Sequence, residues 1–376
     1  MVPGRRRPRR AGVSPASGVR RTRIGVDGHI LTGKRQGTRT WLHELLLRVP
    51  HLRPDVDFVV YTSDVEELRG TYPAPNVELR ALPHVPAVVR LLAFWPWAVR
   101  RDRLDALLTQ YFCPPVPARR QVVVVHDVLF EDFPEFFPPR TRWRNRLLVR
   151  LSARRAAQVL TVSEYSRRAI ASAYGIPAEE VCVVHNGASL PPDEVTRARD
   201  EQTPFVLSVG RLEPRKNTAL LLRAFAARGS SGGRLLVVGS PDGESPEVLR
   251  ALEETEGVEH LGSVSPEHLE ELYRTASALV FPSLGEGWGI PVLEALAHGC
   301  PVLASDRTAI PEAGGPACTY FDPGVPGAEQ VLAGLLDSAL EGTLPHDPEL
   351  ALAQVRAHTW DASAQELAAA LDRWRR

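Results

Sequence analysis

The stretch Phe281-Pro-Ser-Leu-Gly-Glu-Gly-Trp-Gly-Ile-Pro-Val-Leu-Glu-Ala-Leu-Ala-His-Gly-Cys-Pro301 indicates the fold of this chain. An apolar strand ends at Phe281 and a glycine-rich turn follows. Pro291 stands where the first helical residue is expected, because proline is pre-organised for that position. Gly299 predicts the end of the helix, since glycine readily adopts the left-handed conformation found there. The turn exposes the backbone N–H groups of residues 288–290, and a helix N-terminus preceded by glycines favours a diphosphate.

Two glutamates flank the start of this predicted helix. Glu286 lies just before it, and Glu294 lies eight residues on, in what we predict to be its first turn. A carboxylate beside a bound diphosphate is repelled by it. We therefore expect both side chains to contact other groups, and sugar hydroxyls are the obvious donors. An alternative for Glu294 is that it only offsets the helix dipole.

A second cluster, Ser208-Val-Gly-Arg-Leu-Glu-Pro-Arg-Lys-Asn217, follows another predicted strand. Gly210 permits a sharp turn there, and Arg211 and Lys216 flank the entry of the next helix. Two cations at the end of a strand suit a diphosphate leaving group, because arginine offers a planar fork and lysine a compact charge. The alternative is that both are solvated surface charges.

Apolar, β-branched runs alternate with amphipathic stretches along most of the chain, which predicts an α/β protein with parallel sheets. In the first half we predict the strands Arg23–Val26, Phe58–Thr62, Ala106–Thr109, Gln121–Val125, Gln158–Val162 and Val181–Val184. In the second half we predict Phe205–Val209, Leu235–Val238, Val258–Leu261, Ala278–Phe281, Val302–Ala304 and Cys318–Phe321. Two successive doubly wound units imply a cleft between them, at the carboxyl ends of both sheets.

Two predicted helices have clear apolar stripes at helical spacing. One starts near Thr38 and aligns Trp41, Leu42, Leu45, Leu46 and Val49. The other ends the chain and aligns Trp360, Ala364, Leu367, Leu371 and Trp374. A helix with such a stripe packs on another element, so we expect the last helix to cover part of the fold.

Composition excludes several classes of protein. The 376 residues are 44% apolar and 24% charged, as in ordinary globular proteins, and no apolar run approaches the roughly 18 residues needed to span a bilayer. The first 23 residues hold eight of the 45 basic residues and no acid. The remainder therefore has 37 basic against 45 acidic residues, a net charge of −8, which argues against nucleic acid as a partner. Four scattered cysteines favour a reducing cytoplasm.

The motifs together resemble the retaining glycosyltransferases of family 4. They are Gly-Arg-x4-Lys at 210–216, Glu-Gly-Trp-Gly-Ile-Pro-x2-Glu at 286–294 and Gly-x-Pro-Val at 299–302. The similarity covers nearly the whole chain from about residue 22 and includes His126-Asp127, Val162-Ser163-Glu164, Asn186-Gly187 and Pro311-Glu312. It implies the GT-B architecture, in which two Rossmann-like, doubly wound domains face each other across a cleft.

The resemblance also implies a domain organisation. We expect a disordered basic tail over residues 1–21, an N-terminal acceptor domain over 22–187, and a linker over 188–203. A C-terminal nucleotide-sugar-binding domain would follow over 204–357, and a helix over 358–376 would pack back on the N-terminal domain.

The site roles that follow are also implied by the resemblance. Arg211 and Lys216 would grip the donor diphosphate beside Gly210, with the backbone of Gly287, Trp288, Gly289 and Ile290. Glu294 would bind the ribose and Glu286 the transferred sugar. Base contacts are expected near Gly262 and Val264.

The N-terminal domain would supply the other side of the cleft. His126 would face the sugar near the reacting carbon, although a lone histidine at a strand end is often structural. Ser163 would cap a helix at the cleft. Thr38 and Arg39 would lie on the glycine loop that contains Gly33 and Gly37, on the acceptor side.

The donor is expected to be a nucleoside diphosphate sugar and the acceptor a hydroxyl of a glycan, a lipid-linked molecule or a small molecule. The run from His126 through Phe133-Pro-Glu-Phe-Phe137 resembles members that use GDP-mannose, and UDP-sugars stay open. Gly285 and Trp288 depart from the usual residues of the motif, which leaves the identity of the sugar in doubt.

We expect no metal cofactor. Asp55-Val-Asp57 has a spacing by which other glycosyltransferases hold a metal, but it lies at the amino end of a predicted strand, opposite the cleft. The segment Leu91–Arg101 predicts either core or acceptor-groove lining, or a peripheral contact with the inner face of a membrane.

Other function classes stay open at this point. A nicotinamide oxidoreductase is disfavoured, because no G-x-G-x-x-G follows a predicted strand. A phosphorylase, a sugar-nucleotide epimerase on the same fold and a non-catalytic nucleotide-sugar binder are the remaining alternatives.

Overall fold

The computed structural model describes residues 20–33, 36–190, 203–229, 232–241 and 245–375, which form two parallel sheets. The first sheet has the strand order β3-β2-β1-β4-β5-β6-β7. Its strands are β1 (Thr22–Asp27), β2 (Val56–Thr62), β3 (Val77–Ala81), β4 (Ala106–Gln110), β5 (Gln121–Val124), β6 (Gln158–Thr161) and β7 (Val181–Val183).

The second sheet has the order β10-β9-β8-β11-β12-β13 and is also wholly parallel. Its strands are β8 (Phe205–Val209), β9 (Arg234–Val238), β10 (Val258–Gly262), β11 (Ala278–Phe281), β12 (Val302–Ser305) and β13 (Thr319–Phe321). Strand order reverses beside β1 in the first sheet and beside β8 in the second. The cleft lies at these switch points, as expected for open α/β sheets. The predicted fold class is confirmed.

Each of the twelve predicted strands matches an observed one to within two residues at either end. The prediction missed β3 at the edge of the first sheet, because its residues Val-Glu-Leu-Arg-Ala are partly exposed and do not form an apolar run. An edge strand has a neighbour on one side only, so its sequence carries less of the signal by which buried parallel strands are recognised.

Helices cover both faces of the sheets. In the first half they are α1 (Gly37–Leu52), α2 (Ala87–Val89), which continues through a π-helical stretch (Arg90–Phe94) into α3 (Trp95–Arg101), α4 (Leu129–Asp132), α5 (Pro139–Arg155) and α6 (Glu164–Tyr174). In the second half they are α7 (Thr218–Ala226), α8 (Pro246–Glu254), α9 (Pro266–Thr275), α10 (Ile290–Ala297), α11 (Ile310–Gly314), α12 (Ala328–Glu341), α13 (Pro348–Ala357) and α14 (Trp360–Arg375).

The last helix, α14, packs on the first sheet rather than on the second. Its stripe Trp360, Ala364, Leu367, Ala370 and Leu371 belongs to the same apolar cluster as α1 and β1. The indole N–H of Trp374 donates to the Arg119 carbonyl at 2.9 Å. The chain thus starts and ends its described part on the N-terminal sheet.

The two chain crossings between the sheets lie side by side. The backbone N–H of Ala188 donates to the carbonyl of His358 at 3.0 Å, and Ala188 pairs with Thr359 in an isolated parallel bridge. Gly187 lies so close to the backbone of Trp360 that a Cβ at this position would clash with it.

Two predicted segments lie largely outside the described residues. They are residues 1–19 of the predicted tail and 191–202 of the predicted linker. The last two residues of that tail are held by ion pairs, Arg20 with Asp105 at 3.0 Å and Arg21 with Asp57 at 3.3 Å.

Candidate active site

A cavity of about 790 Å³ lies between the carboxyl ends of the two sheets, and both halves of the chain line it. Eleven predicted site residues are among its lining residues, namely Gly37, Thr38, His126, Gly210, Arg211, Lys216, Glu286, Gly287, Trp288, Gly289 and Ile290. The loop after β8 and the loop after β11 form its C-terminal side. The fold therefore brings together two sequence clusters that stand about 70 residues apart.

The C-terminal side of the cleft is built around the carboxylate of Glu286. Its oxygens lie 2.7 Å from the Lys216 ammonium and 2.9 Å from the Arg215 guanidinium. Arg215 also donates to the carbonyl of Gly285 and pairs with Glu213, and Arg211 lies 3.6 Å from the same Glu213. The result is a cluster of three cations and two carboxylates.

The cations determine the charge state of this cluster. Burial would raise the pKa of Glu286, but Arg215 and Lys216 outweigh it and lower that pKa to about 2. Burial lowers the pKa of Lys216, while Glu286 opposes this effect. Glu286 is thus an anion at neutral pH. Lys216 gains much of its stability as a cation from this carboxylate.

Backbone contacts lock the two loops of the C-terminal side together. The N–H of Leu284 donates to the carbonyl of Arg215 at 2.9 Å, and the N–H of Glu286 donates to the Thr308 hydroxyl at 2.8 Å. Gly210 has a positive φ of 151°, and a Cβ there would lie 3.4 Å from the Lys216 side chain. Glycine at this turn lets the lysine fold back along the loop toward the cleft.

Helix α10 presents its N-terminus to the cavity. Gly289 is its N-cap with φ of 143°, and no side chain caps it. Within the described part of the chain, the N–H groups of Trp288, Gly289 and Ile290 donate no hydrogen bond. An N-terminus with such N–H groups attracts an anion. The structure corrects the prediction by one position, because Pro291 is the second residue of the helix.

The N-terminal side of the cleft centres on His126, which follows β5. Its ring is buried, lies 5.4 Å from the Trp41 ring in a T-shaped contact and 5.9 Å from the Tyr111 ring. Burial lowers the pKa of His126 to about 3, so its imidazole is neutral near pH 7. No hydrogen-bond partner of its Nε2 atom is found among the described residues.

Several other buried polar atoms in the cleft also lack a hydrogen-bond partner among the described residues. The side-chain nitrogen of Gln110, the side-chain oxygen of Asn186 and the indole nitrogen of Trp288 lack a partner within the described residues. A buried polar group without a partner is costly in a folded protein. Such a group beside a cavity is explained most simply by a polar ligand that enters it.

Tyr111 and Asp127 complete this side and were not predicted as site residues. Tyr111 has a positive φ of 60°, which is uncommon for a bulky residue and marks backbone strain at the cleft. Burial raises the pKa of Asp127, with Arg215 opposing the effect. A backbone outlier and a pKa shift of this kind arise only in the folded chain.

The two sides of the cleft approach closely at the glycines of the second motif. A Cβ on Gly287 would lie 3.0 Å from the Asp127 side chain and 3.2 Å from the His126 carbonyl. A Cβ on Gly285 would lie 2.6 Å from the Phe133 ring. Phe133 from the N-terminal half therefore fills the space that a side chain at position 285 would need.

Three predicted donor residues do not line this cavity. Glu294 lies in the second turn of α10 rather than in the first, which corrects the prediction and removes the helix-dipole alternative. It accepts a hydrogen bond from the Tyr273 hydroxyl at 3.1 Å, and burial raises its pKa. Gly262 ends β10 with φ of 64°, and Val264 packs on the core of the second sheet.

The residues predicted for the acceptor side also need correction. Thr38 and Arg39 lie in the first turn of α1 rather than on the glycine loop. Arg39 donates to the carbonyls of Leu31 and Gly33 at 2.8 and 3.1 Å. It therefore holds the loop before α1 in place, and it does not line the cavity.

Ser163 caps α6 as predicted, but it does not line the cavity. Its hydroxyl accepts the N–H of Ser166 at 3.0 Å. The first two N–H groups of that helix, from Glu164 and Tyr165, donate to the carboxylate of Glu312 at 2.7 and 3.2 Å. Glu312 lies on α11, so a carboxylate from the C-terminal half occupies this helix N-terminus.

A histidine lies beside Glu312, at the joint where the N-terminal half meets α11 of the C-terminal half. His185 contacts Glu366 of α14 at 2.8 Å and Glu312 at 3.4 Å, and its ring lies 5.3 Å from His358. Burial lowers the pKa of His185, but the two carboxylates outweigh it and raise that pKa to about 9. His185 is therefore a cation near neutral pH and joins α11 to α14.

Neither a cluster of metal-binding side chains nor a membrane-spanning helix is found among the described residues. Among them no group of three or more His, Cys, Asp or Glu side chains is placed to hold a metal ion. Asp55 and Asp57 form ion pairs with Arg53 and Arg21 at the amino end of β2. None of the described helices combines the length and apolar character that crossing a bilayer requires.

Comparisons with known proteins agree with this architecture. The chain matches the family models described as Glycosyltransferase Family 4, over residues 35–190, and Glycosyl transferases group 1, over residues 192–342. The O-antigen chain mannosyltransferase B of Escherichia coli is 32% identical over 245 residues, which are 60% of this chain and 64% of that protein. The O-antigen chain mannosyltransferase RfbU of Salmonella typhimurium is 32% identical over 190 residues, 50% of this chain and 52% of that protein.

The chain thus spans about half to two thirds of the length of these curated relatives. The crystal structure of Anabaena Alr3699/HepE in complex with UDP aligns with 93% of this chain and 99% of its own, with a TM-score of 0.69 and 19% identity. That likeness concerns the fold, which is GT-B. With both family models matched in order along its two halves, the chain belongs to glycosyltransferase family 4.

Proposed function

We propose that this chain transfers a sugar from a nucleoside diphosphate sugar to an acceptor hydroxyl, with retention of the anomeric configuration. The observation that carries the proposal is the cluster of Arg215, Lys216 and Glu286 beside the uncapped N-terminus of α10, in one cavity with the neutral imidazole of His126. Cations and backbone N–H groups suit the diphosphate, and unpartnered polar atoms opposite them suit a sugar.

The position of Glu286 supports a role in sugar binding. A carboxylate and a diphosphate compete for the same ammonium, so a diphosphate that binds beside Lys216 repels Glu286 and weakens its ion pair. The hydroxyls of the transferred sugar are then the donors that Glu286 can accept. Arg215 keeps the carboxylate ionised and in place through its own ion pair.

The chemistry follows from this arrangement. The bond between the anomeric carbon and the phosphate oxygen breaks, and its electron pair stays on the diphosphate. The acceptor oxygen then bonds to the anomeric carbon from the same face, and its proton passes to an oxygen of the leaving diphosphate. Lys216, Arg211 and the α10 N-terminus stabilise the charge that grows on the leaving diphosphate. His126 is neutral and accepts or donates a hydrogen bond next to the sugar.

We further propose that this reaction needs no metal ion. A fixed ammonium and guanidinium in a water-poor cleft stabilise a developing anion more strongly than they would in solvent. Addition of EDTA should therefore leave the rate unchanged. Activity that disappears with EDTA and returns with Mn²⁺ would contradict this part of the proposal.

For the donor, we propose a GDP-mannose-like sugar nucleotide first and a UDP-sugar second. Two relatives bear the name mannosyltransferase, and the fold neighbour was solved with UDP. The same relatives are named for O-antigen chains, so a glycan or lipid-linked hydroxyl is the first acceptor to test. Gly37 and Thr38 line the N-terminal side of the cavity, from which such an acceptor would approach.

The experiment is a thermal-shift screen of nucleoside diphosphates followed by donor turnover. A ligand at 100 times its dissociation constant should stabilise the chain by about 2.7 kcal/mol. Release of the nucleoside diphosphate from the matching sugar donor then reports transfer or slow hydrolysis. The anomeric proton of the first-formed product, read by NMR, should keep the configuration of the donor. A product of opposite configuration excludes retention, and binding without any turnover by wild type favours a non-catalytic binder.

A further inference from the structure

Helix α5 has two apolar faces, and only one of them is covered. Val149 and Ala153 are buried against the sheet. On the other side Trp143, Leu147 and Leu151 expose 61%, 68% and 49% of their surface. These three residues are spaced by four, so they form one stripe along the outside of the helix.

The charged residues of helix α5 itself are all of one sign, although Arg146 pairs with Glu131 of α4 at 3.4 Å. Helix α5 contains seven arginines and no acidic residue. Arg140 and Arg154 lie on the same side as the stripe, one near each end, and Arg144 and Arg150 flank it. None of the ion pairs found in the described ranges involves Arg140, Arg150 or Arg154, and all three are exposed.

A second element adds to the same kind of surface. Val88, Leu92 and Trp97 of the segment Ala87–Arg101 are exposed, and the Arg101 guanidinium lies over the Trp97 ring at 4.6 Å. Trp95, Ala98 and Val99 of this segment are buried, and Leu91 and Trp95 line the cavity, so part of the segment meets the expectation of core or groove lining. Val88 and Arg144 both line the cavity, so the two elements border the same cleft.

We infer that these two elements form a docking surface for the anionic face of a lipid bilayer. Helices that lie in the membrane interface typically combine exposed tryptophan and leucine side chains with surrounding arginines. Arginine stems can extend along apolar surface while the guanidinium reaches the headgroups. Two exposed stripes on separate elements around one opening fit an extended, flat partner of negative charge. The inference goes beyond the proposed transfer reaction and does not depend on it.

The test is co-sedimentation of the full chain with vesicles of phosphatidylcholine alone or with about a third phosphatidylglycerol. One variant combines Trp143→Ser, Leu147→Ser and Leu151→Ser. A second combines Arg140→Gln, Arg150→Gln and Arg154→Gln. A matched control combines Val331→Ser, Leu350→Ser and Leu352→Ser, which are exposed apolar positions on helices of the C-terminal half.

We expect wild type and the control to bind the anionic vesicles and to leave neutral vesicles largely unbound. The arginine variant should bind roughly a hundredfold more weakly, since each basic residue near an anionic surface contributes about fivefold. The apolar variant should lose binding by at least about tenfold. Because all substituted side chains are exposed, the melting temperatures should stay close to wild type. If the triple serine variant melts early, Leu147→Ser alone repeats the test.

Three results would overturn the inference. Equal binding of wild type and both α5 variants would assign the contact to another part of the chain, such as the arginines among residues 1–23. Absence of binding to anionic vesicles would exclude the bilayer. A wild-type dimer that the serine variant converts to monomer, without vesicle binding, would identify a second copy of the chain as the occupant.

Discussion

The two sides of the cleft differ in how they present charge to a ligand. On the C-terminal side Arg215 and Lys216 are matched by Glu213 and Glu286, so the charges are held in place by one another. On the N-terminal side Gln110, His126 and Asn186 are buried and uncharged, and each has a polar atom without a partner in the described residues. The first side can hold an anion and stabilise a growing negative charge. On the second side, which also contains Asp127, these three uncharged side chains can exchange hydrogen bonds with a polar, uncharged group.

The two sides of the site therefore differ in the groups that they can bind as well as in the half of the chain that supplies them. A change on the C-terminal side should affect both diphosphate binding and turnover. A change on the N-terminal side should affect turnover alone. The following predictions test that division, from the largest expected effect to the smallest.

The largest effect is expected from the ammonium of Lys216. Lys216→Ala should lower turnover by roughly 10²–10³-fold, because one fixed positive group is lost where the leaving group gains charge. It should also weaken binding of the nucleoside diphosphate. Lys34 and Lys216 are the only two lysines of the chain. Lys216→Arg should not restore the rate, because a guanidinium does not fit the compact position beside Glu286.

Steady-state kinetics and a nucleoside diphosphate thermal shift measure both parts of this prediction. Arg223→Ala is the matched control, since it removes an exposed cation of the same half that pairs with Glu329. A Lys216→Ala variant with near-normal turnover would show that the C-terminal side does not carry the leaving-group charge.

The second effect concerns His126 on the uncharged side. His126→Ala should lower turnover by about a hundredfold, the lower range for a positioned polar group next to the reacting atoms. The melting-temperature shift given by a nucleoside diphosphate should stay as in wild type, because the diphosphate contacts lie on the other half. His51→Ala, which changes an exposed histidine at the end of α1, is the control. Equal loss of nucleotide binding would mean that the division between the two sides is wrong.

The third prediction tests the close approach of the two sides of the cleft at Gly287. Gly287→Ala places a methyl group 3.0 Å from the Asp127 side chain and 3.2 Å from the His126 carbonyl. The two halves must separate slightly, and turnover should fall by about tenfold because the reacting groups are displaced. Nucleoside diphosphate binding should persist.

Small-angle scattering with ligand checks the geometry, since the variant should keep a larger radius of gyration than wild type. Gly334→Ala in α12 is the control, because a Cβ there meets no atom within 4 Å. A Gly287→Ala variant that closes and turns over like wild type would contradict the close approach.

The smallest effect is expected at the joint between the halves. The pKa of His185 is raised to about 9 by Glu312 and Glu366, from an ordinary value near 6.5. The stability from this histidine is therefore fully present below about pH 6.5 and is lost as the pH rises through about 9. We expect a contribution of roughly 1–2 kcal/mol, because the three side chains are partly exposed to solvent.

Melting temperatures of wild type and His185→Gln across pH 6 to 9.5 check this prediction. The difference between the two proteins should be largest at the acidic end and should shrink toward pH 9.5. His358 faces the same cluster, and burial lowers its pKa, so it should titrate at more acidic pH than His185. A difference that grows with pH would contradict the assignment of charge at His185.

The sequence predicted much of the fold, because parallel strands buried on both faces appear as continuous apolar runs. Eleven of the sixteen predicted site residues line one cavity for a related reason, since the carboxyl ends of such strands meet at one edge. Arg215 is not among the predicted site residues, although its guanidinium forms an ion pair with Glu286. Nothing in the local sequence distinguishes which of three nearby cations reaches a carboxylate about 70 residues away.

Other features depended on tertiary contacts that local patterns do not contain. Glu294 was placed in the first turn of α10, and a shift of one residue in the helix start moves it to the second. The strain at Tyr111 exists only in the folded chain. The stripe Trp143, Leu147 and Leu151 has the spacing that ordinarily predicts a buried face, and only the structure shows that it points outward.

The bridge between Ala188 and Thr359 places the two chain connections to the second sheet side by side, so the C-terminal half is suited to replacement as one module. Its polypeptide leaves the first half and returns to it at adjacent points, and the chain then finishes as α14 on the half where it began. A replacement module from another family member therefore needs only two neighbouring junctions, with Gly187 and Trp360 kept on the host side. Under the proposed function, such an exchange is expected to change the donor preference while the N-terminal half and its outer surface stay unchanged.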